Sequence, residues 1–279
     1  MRADPMEIKK AAGALGVEVQ GMDLAHMASD PDFLQQVRGL VTEHGVAFFR
    51  GQSMDVEAYA ASARQLGEIL SHQAYETIDQ GAAVQILEST AEKPSKIEVW
   101  HSDMTFSPTP PHFTMLYANV LPSFGGDTLW ASSSAAFAAL SKPLQEFLRP
   151  LRATHDFRQG FKESLAEPGG AQRLAPAIAA NPPVSHPVMR THPETGAKAI
   201  FVNPLFTTAI EGLTRDESAA LLAMLYAHVV TPEFTVRLQW QPGTIAIWDN
   251  RITQHKPVND YFPQHRRLWR VTIRGDVPI

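Results

Sequence analysis

The sequence of 279 residues is 44% hydrophobic and 19% charged, which is typical of a globular protein with one sizeable core. It contains no cysteine, which excludes disulfides, iron–sulfur clusters and thiol nucleophiles, so any metal must be bound by His, Asp or Glu. The net charge of −5 comes without a long basic run or an apolar segment long enough to span a membrane. We therefore expect a cytoplasmic protein that binds neither nucleic acid nor membrane.

The hydrophobic pattern of the N-terminal part predicts helices outside a sheet. Residues 15–19 alternate as a strand does, and Asp30 precedes a helix with one apolar stripe. A buried strand is predicted at Val46–Phe49, and a second amphipathic helix should begin at Asp55 and end at Gly67.

The middle of the chain mixes strands with long loops. Residues 71–98 contain one short strand candidate at 84–87, and loops this long usually serve a site. We predict a core strand at Phe113–Val120, a turn at 125–128 that leads into a strand, and helices at 132–140 and 143–151. Residues 157–187 are the least regular part and are interpreted as an insertion that could act as a lid.

The C-terminal part predicts more strands. They lie at 188–191, 199–202, 234–240, 244–248 and 268–273, and a capping-box pattern at Thr214 begins a helix. Such a mixed β chain with outer helices predicts a double-stranded β-helix core, the cupin-like jelly roll, rather than a doubly wound parallel sheet. No linker divides the sequence, so we expect residues 1–279 to form a single domain, with 71–98 and 157–187 as active-site loops.

A His-x-Asp pair is the first candidate for chemistry. His101 and Asp103 would share one face of an extended strand, roughly 6–7 Å apart. This pair alone is weak evidence, since such a pair is more often a strand-end His hydrogen-bonded to a nearby Asp than a metal site. If His255 joins them, two histidines and one carboxylate suit a non-haem Fe(II) site with open coordination positions. The same ligands could instead hold Zn²⁺ for hydrolysis.

Three further motifs indicate the family. The chain closely resembles the taurine dioxygenase family of Fe(II)/2-oxoglutarate oxygenases at Trp100-His101-Ser102-Asp103-Met104-Thr105-Phe106, at Gly125-Gly126-Asp127-Thr128-Leu129-Trp130, and at Trp248-Asp249-Asn250-Arg251 with His255, Arg266 and Arg270. The similarity extends over nearly the whole chain.

The resemblance implies roles for particular residues. His101, Asp103 and His255 would bind Fe(II), leaving positions for 2-oxoglutarate and O₂. Arg266, assisted by the Thr128 hydroxyl, would bind the distal carboxylate of 2-oxoglutarate, because a guanidinium matches a carboxylate in a bidentate way. A hydrolase has no need of such a carboxylate clamp.

The substrate would be a small organosulfur anion. The resemblance gives its anionic head to Arg270 and implies hydroxylation next to the sulfur of a taurine-like sulfonate, with release of sulfite, aldehyde, succinate and CO₂. Alkyl sulfate esters and aryloxyalkanoates remain alternatives, and a homodimer or homotetramer is expected. The family pattern places these residues around the substrate: His72, Tyr75, Ile97, Gly160, Phe161 and Phe206.

Two of these positions depart from the family. Related enzymes carry Asn where this chain has Ile97, and Ser where it has Gly160. A buried group left unpaired costs about 1–3 kcal/mol, so losing two polar contacts could change substrate preference by an order of magnitude or more. These two departures therefore affect the expected choice of substrate and leave the expected chemistry unchanged.

Overall fold

A computed structural model describes residues 6–70, 77–78 and 84–279; His72 and Tyr75 lie outside them. The described strands are β1 (Glu7–Lys10), β2 (Val17–Gln20), β3 (Val46–Phe49), β4 (Ile69–Leu70), β5 (Gln85–Ser89), β6 (Phe113–Val120), β7 (Thr128–Ser132), β8 (Arg152–His155), β9 (Val184–Pro187), β10 (Met189–Thr191), β11 (Lys198–Ile200), β12 (Thr207–Ile210), β13 (Thr235–Leu238), β14 (Ile245–Asp249), β15 (Thr253–Pro257) and β16 (Arg266–Ile273). The α-helices are α1 (Pro31–His44), α2 (Val56–Leu66), α3 (Ser133–Ala139), α4 (Lys142–Leu148), α5 (Phe157–Gly160), α6 (Lys162–Ala166), α7 (Gly170–Ala180) and α8 (Arg215–Val229).

Two sheets form the centre of the fold. The larger has the order β1-β2-β3-β14-β6-β16-β4, with β5 also paired to β16, and the smaller has the order β13-β7-β15. The rings of Phe48 on β3 and Trp130 on β7 lie 5.3 Å apart, so the sheets pack against each other. This confirms the predicted jelly-roll architecture with outer helices, although the two sheets do not close into one barrel over the part of the chain that the structure describes.

Strand β14 shows how the sequence builds these layers. Ile245 and Ile247 pack in the cluster that includes residues of α1 and α2, whereas Ala246 and Trp248 pack in the cluster shared with the smaller sheet. Alternate residues of a strand point to opposite faces. A strand that is buried on both faces therefore reads as the continuous apolar run seen in the sequence.

Polar caps fix the ends of the outer helices. The Asp30 side chain accepts hydrogen bonds from the first turn of α1, and Asp55 does so for α2. Thr214 and Glu217 form the predicted capping box of α8. Each such cap satisfies backbone N–H groups that the helix leaves unpaired. Among the described residues, no helix has both the length and the apolar character needed to cross a membrane.

The prediction of irregular structure at 157–187 was wrong. This segment forms α5, α6, α7 and β9, and the Pro- and Gly-rich composition concealed the short helices. Its apolar side chains, such as Leu174 and Ala177, pack with Phe157 and Phe206 in one buried cluster. Tertiary packing stabilises helices that are too short to be stable alone.

Candidate active site

The two candidate histidines meet on the smaller sheet. His255 lies on β15, and an isolated antiparallel bridge joins it to His101. The ring centroids of the two histidines are 4.2 Å apart. The predicted extended strand through Asp103 is wrong, because the chain turns there and Met104 has a φ of +47°. The Asp103 carboxylate nevertheless lies close to both imidazoles.

The ligand atoms of His101, Asp103 and His255 all lie within 4.8 Å of one another, and all three residues are buried. His255 Nε2 is 3.9 Å from Asp103 Oδ1. The Val99 carbonyl lies 2.9 Å from His101 Nδ1, which leaves Nε2 of that ring for a metal. Three protein ligands in this arrangement could hold one metal ion and leave positions open.

The protonation states of these residues also suit a metal. Burial lowers the pKa of His101, and burial together with His101 lowers the pKa of His255 much further. Burial alone would raise the pKa of Asp103, but Arg270, the two histidines and the Thr114 hydroxyl lower it to about 2. The site therefore presents neutral imidazoles and a carboxylate, the forms in which these groups bind metals.

Trp248 supports the distal histidine. Its ring centroid lies 4.7 Å from that of His255 and 5.5 Å from that of Trp130. Trp248 is 1% exposed. Trp248 therefore packs behind His255 and is at the same time part of the buried core.

Arg266 and Thr128 come from different sheets, on β16 and β7. Both are buried, and the Arg266 guanidinium lies 5.8 Å from the centre of the Tyr261 ring. The Arg266 Nε has no hydrogen-bond partner among the described residues, whereas Thr128 Oγ1 accepts one from Trp240 Nε1 at 3.0 Å. Tyr261 is a hydrogen-bond partner of this guanidinium, but its buried Nε donor stays unpaired, which is costly and suits an anionic ligand.

A glycine turn brings the backbone close to Arg266. Gly126 has a φ of +72°, and a Cβ there would lie 3.2 Å from both Cδ and Nε of Arg266. Only glycine adopts this conformation without strain and leaves space for the guanidinium. The Gly-Gly-Asp-Thr motif thus shapes the surroundings of Arg266.

Arg270 lies on the same strand and reaches the metal-ligand cluster. It is 5% exposed, and its Nη2 donates to Asp103 Oδ1. Arg266 and Arg270 are four residues apart on β16 and share one face of the strand, and both side chains are buried. A permanent positive charge therefore lies beside the carboxylate ligand.

Aromatic side chains border the cluster. The Phe206 ring lies edge-on to His101 at 6.5 Å and to Phe106 at 5.0 Å. Phe161 stacks on Phe157 at 4.3 Å. Helices α5 to α7, which belong to the predicted lid, contribute to this apolar wall.

The two positions that depart from the family differ in their surroundings. Ile97 is half-buried, and its carbonyl accepts a hydrogen bond from Asn259 Nδ2 at 3.0 Å. At Gly160 an added Cβ would lie 2.3 Å from Cε1 of Phe206. Gly160 therefore does not leave an empty space where a polar side chain is missing, because the Phe206 ring fills it.

Three residues around the site were not among the predicted site residues. Thr114 and Asn250 bond to Asp103, and Tyr261 lies beside Arg266. Asn250 lies within the Trp248–His255 motif, so its place there could have indicated that it belongs to the site. Thr114 was a single polar residue in an apolar strand, and Tyr261 lies outside every motif.

A buried cluster of two histidines and one carboxylate, built on a jelly roll beside two buried arginines, defines a non-haem iron oxygenase. Residues 7–272 match the family described as "Taurine catabolism dioxygenase TauD, TfdA family", and the chain belongs to this family. The protein is an Fe(II)- and 2-oxoglutarate-dependent dioxygenase, as the resemblance implied.

Similar proteins include enzymes named for sulfur substrates. The chain is 34% identical to an alkylsulfatase of Acinetobacter baylyi over 98% of this chain and 86% of that protein. It is 33% identical to an alpha-ketoglutarate-dependent sulfate ester dioxygenase of Pseudomonas putida, over 98% and 91% of the two chains. The crystal structure of a taurine dioxygenase from Burkholderia xenovorans is similar with a TM-score of 0.83 and 34% identity, covering 98% and 91%.

Proposed function

We propose that this dioxygenase oxidises the carbon that bears the sulfur group of a small organosulfonate or sulfate ester. The observation that carries the proposal is the position of Arg270, whose buried guanidinium lies at the metal-ligand cluster. A buried cation there would bind the sulfonate or sulfate oxygens and hold the neighbouring carbon beside the metal.

The remaining roles follow from the same geometry. His101, Asp103 and His255 would hold Fe(II), which when bound supplies the activation of O₂ that couples 2-oxoglutarate decarboxylation to hydroxylation. Arg266 and Thr128 would fix the distal carboxylate of 2-oxoglutarate. Hydroxylation of the carbon that bears the sulfonate sulfur gives an unstable adduct that loses sulfite, and hydroxylation of the carbon that bears the ester oxygen of a sulfate gives one that loses sulfate. Either adduct leaves an aldehyde, with succinate and CO₂ as co-products.

Two positions near the site bear on the organic group of the substrate. A taurine-like sulfonate is the first candidate, but taurine carries an ammonium group. Ile97 is apolar, and the Phe206 ring lies directly over Gly160, so these two positions offer an apolar surface. This observation favours an alkyl chain, and makes an alkyl sulfate ester the second candidate. The names of the two relatives at 33% and 34% identity agree with that candidate.

We also infer that residues 1–279 act as one catalytic domain, because the candidate residues come from both sheets and from helices of the predicted lid. We expect a cytoplasmic enzyme, because 2-oxoglutarate is an intracellular metabolite. A homodimer or homotetramer is the expected assembly. Light scattering on the purified protein would measure its mass in solution.

The test is turnover by the Fe(II)-loaded protein with 2-oxoglutarate and a panel of taurine, alkanesulfonates, alkyl sulfates and aryloxyacetates. Succinate should form together with sulfite or sulfate, most rapidly with alkyl substrates. Succinate formation with aryloxyacetates alone would show that the substrate is a carboxylate.

Two variants sharpen this test. Arg270→Gln should abolish coupled turnover of sulfur substrates, whereas Arg274→Gln, just beyond β16 and paired with Glu68 on the surface, should not. Gly160→Ser should displace the Phe206 ring and reduce turnover of alkyl substrates relative to taurine. If Gly160→Ser reduced the turnover of taurine and of alkyl substrates equally, the Phe206 ring would not be part of an apolar surface for the substrate.

A further inference from the structure

We propose that Thr114 and Asn250 are positioning residues that leave the Asp103 carboxylate only one oxygen for the metal. The inference rests on the assignment of His101, Asp103 and His255 as the iron site, and not on the identity of the substrate. Asn250 belongs to the Trp248–His255 motif, and the function proposed above gives it no role.

The carboxylate oxygens of Asp103 have different partners. Oδ2 accepts a hydrogen bond from the Thr114 hydroxyl at 2.7 Å. Oδ1 accepts one from Arg270 and lies 3.9 Å from His255 Nε2. Thus Oδ1, which bonds to Arg270, lies on the side of His255, whereas Oδ2 bonds to Thr114.

Asn250 directs the Thr114 hydroxyl. Asn250 Nδ2 donates to Thr114 Oγ1 at 2.8 Å. Because the hydroxyl accepts this bond, its one proton is available for Asp103 Oδ2. The three groups form a hydrogen-bond chain in which each donor points toward the carboxylate, and Thr114 and Asn250 are 0% and 2% exposed.

The orientation of the Asn250 amide is fixed by two other donors. Its Oδ1 accepts from the backbone N–H of Asp103 at 3.1 Å and from Trp248 Nε1 at 3.0 Å. Neither of these groups can accept a hydrogen bond, so the oxygen must face them and the NH₂ must face Thr114. The same indole packs against His255, so one amide connects both sides of the ligand set.

The hydrogen bond from Thr114 affects how many coordination positions of the metal stay open. A carboxylate that bound a metal through both oxygens would take a position needed by 2-oxoglutarate or O₂. A hydrogen bond to a charged group is stronger than one between neutral groups, and Oδ2 would lose its bond to Thr114 on turning to the metal. Thr114 therefore favours binding through Oδ1 alone.

The test compares Thr114→Val with a matched control on the neighbouring strand. Thr272 pairs with Thr114 across β16 and β6, is also 0% exposed, and donates only a long bond of 3.4 Å to the Leu70 carbonyl. Thr272→Val removes the same hydroxyl from the same sheet without touching Asp103. Thr114→Ser keeps a hydroxyl and serves as the conservative variant.

Two binding constants are measured for each variant by calorimetry. The first is the affinity for Co(II), and the second is the affinity of the Co(II)-loaded protein for 2-oxoglutarate. The visible absorption of the anaerobic Fe(II)–2-oxoglutarate complex reports chelation independently. We expect Thr114→Val to bind Co(II) at least as tightly as the parent but 2-oxoglutarate on the order of ten- to a hundredfold more weakly, with reduced absorption. Thr114→Ser and Thr272→Val should resemble the parent.

Other outcomes would overturn the proposal. If Thr114→Val bound 2-oxoglutarate as Thr272→Val does, the hydrogen bond would not control the open positions. A parallel loss of Co(II) and 2-oxoglutarate affinity would show a structural role only. If His101→Ala still bound Co(II) as the parent does, the iron-site assignment itself would fail, and this inference with it.

Discussion

His101 and His255 are held together by their backbones rather than by their side chains. The His101 N–H donates to the His255 carbonyl at 2.9 Å, and the His255 N–H donates to the His101 carbonyl at 2.7 Å. This pair of bonds sets the separation of the two imidazoles before any metal binds. Such preorganisation lowers the cost of assembling a metal site.

The first prediction concerns the metal ligands. Replacing either imidazole, in His101→Ala or His255→Ala, should lower Co(II) affinity by more than about a hundredfold, since losing an outer-shell partner already costs 10–100-fold. The fold should survive because the backbone bridge needs no side chain. Calorimetric titration measures the affinity and circular dichroism the fold. His265→Ala, on an exposed histidine paired with Glu88, is the control and should bind Co(II) normally.

The second prediction concerns Arg266, which we propose binds the distal carboxylate of 2-oxoglutarate. Arg266→Lys should weaken 2-oxoglutarate binding by about 10- to 100-fold, because a lysine ammonium cannot reproduce the two parallel bonds of a guanidinium. The measurement is the dissociation constant of 2-oxoglutarate with the Co(II)-loaded protein. Arg267→Lys is the control, since the half-buried Arg267 lies next to Arg266 on β16 and points to the opposite face. Equal constants for both variants would remove Arg266 from the clamp.

The sequence predicted the candidate site better than its surroundings. The clustering of His101, Asp103 and His255 could be predicted because few residue types bind metals and the motifs that contain them are specific. The strand that presents His255 was missed, because Thr-Gln-His-Lys-Pro has almost no apolar residue. Strand propensity reflects burial and pairing more than local sequence, and β15 is held by its pairing with β7.

Contacts between residues that are far apart in the sequence could not be predicted from it either. Gly160 was interpreted as a lost polar contact, but the structure shows a ring of a residue 46 positions away in its place. Thr114 and Asn250 are 136 positions apart and bond directly. A single sequence carries no record of such pairs, whereas helix caps such as Asp30 and Thr214 depend on neighbours and were predicted correctly.

The third prediction concerns pH. Burial lowers the pKa of His186 to about 4, and the ring packs 5.1 Å from that of His155. In the unfolded chain the pKa is about 6.5, so acid favours the unfolded state, which binds the proton more readily. The stabilisation by neutral His186 is complete above pH ~6.5 and is lost as the pH falls through about 4.

At pH 5 this group should lower the free energy of unfolding by about 2 kcal/mol relative to pH 7.5. Urea unfolding at several pH values measures how steeply the free energy of unfolding rises with pH. His186→Asn should reduce this slope. Part of the slope should remain, because burial also lowers the pKa of His155. A variant with the parent's full slope would show that His186 does not contribute.

The last prediction concerns the ion pair that precedes the His255 strand. Arg251 donates to both oxygens of Asp249 through Nε and Nη2, at 2.9 Å and 2.6 Å, and His192 Nε2 lies 3.0 Å from Asp249 Oδ2. Asp249 is fully buried, and Arg251 with His192 holds its pKa well below the usual range despite that burial. Removing one partner of such a pair leaves an uncompensated buried charge.

Arg251→Met should therefore lower the free energy of unfolding by about 3–5 kcal/mol, measured by urea unfolding at pH 7.5. The matched control is Arg149→Met, which removes an arginine from an exposed pair with Glu146 and should cost about 0–1 kcal/mol. Adding Asp249→Asn to Arg251→Met should restore part of the loss, because the unpaired charge is then gone. If the double variant were less stable than Arg251→Met alone, the cost would come from lost packing rather than from a buried carboxylate.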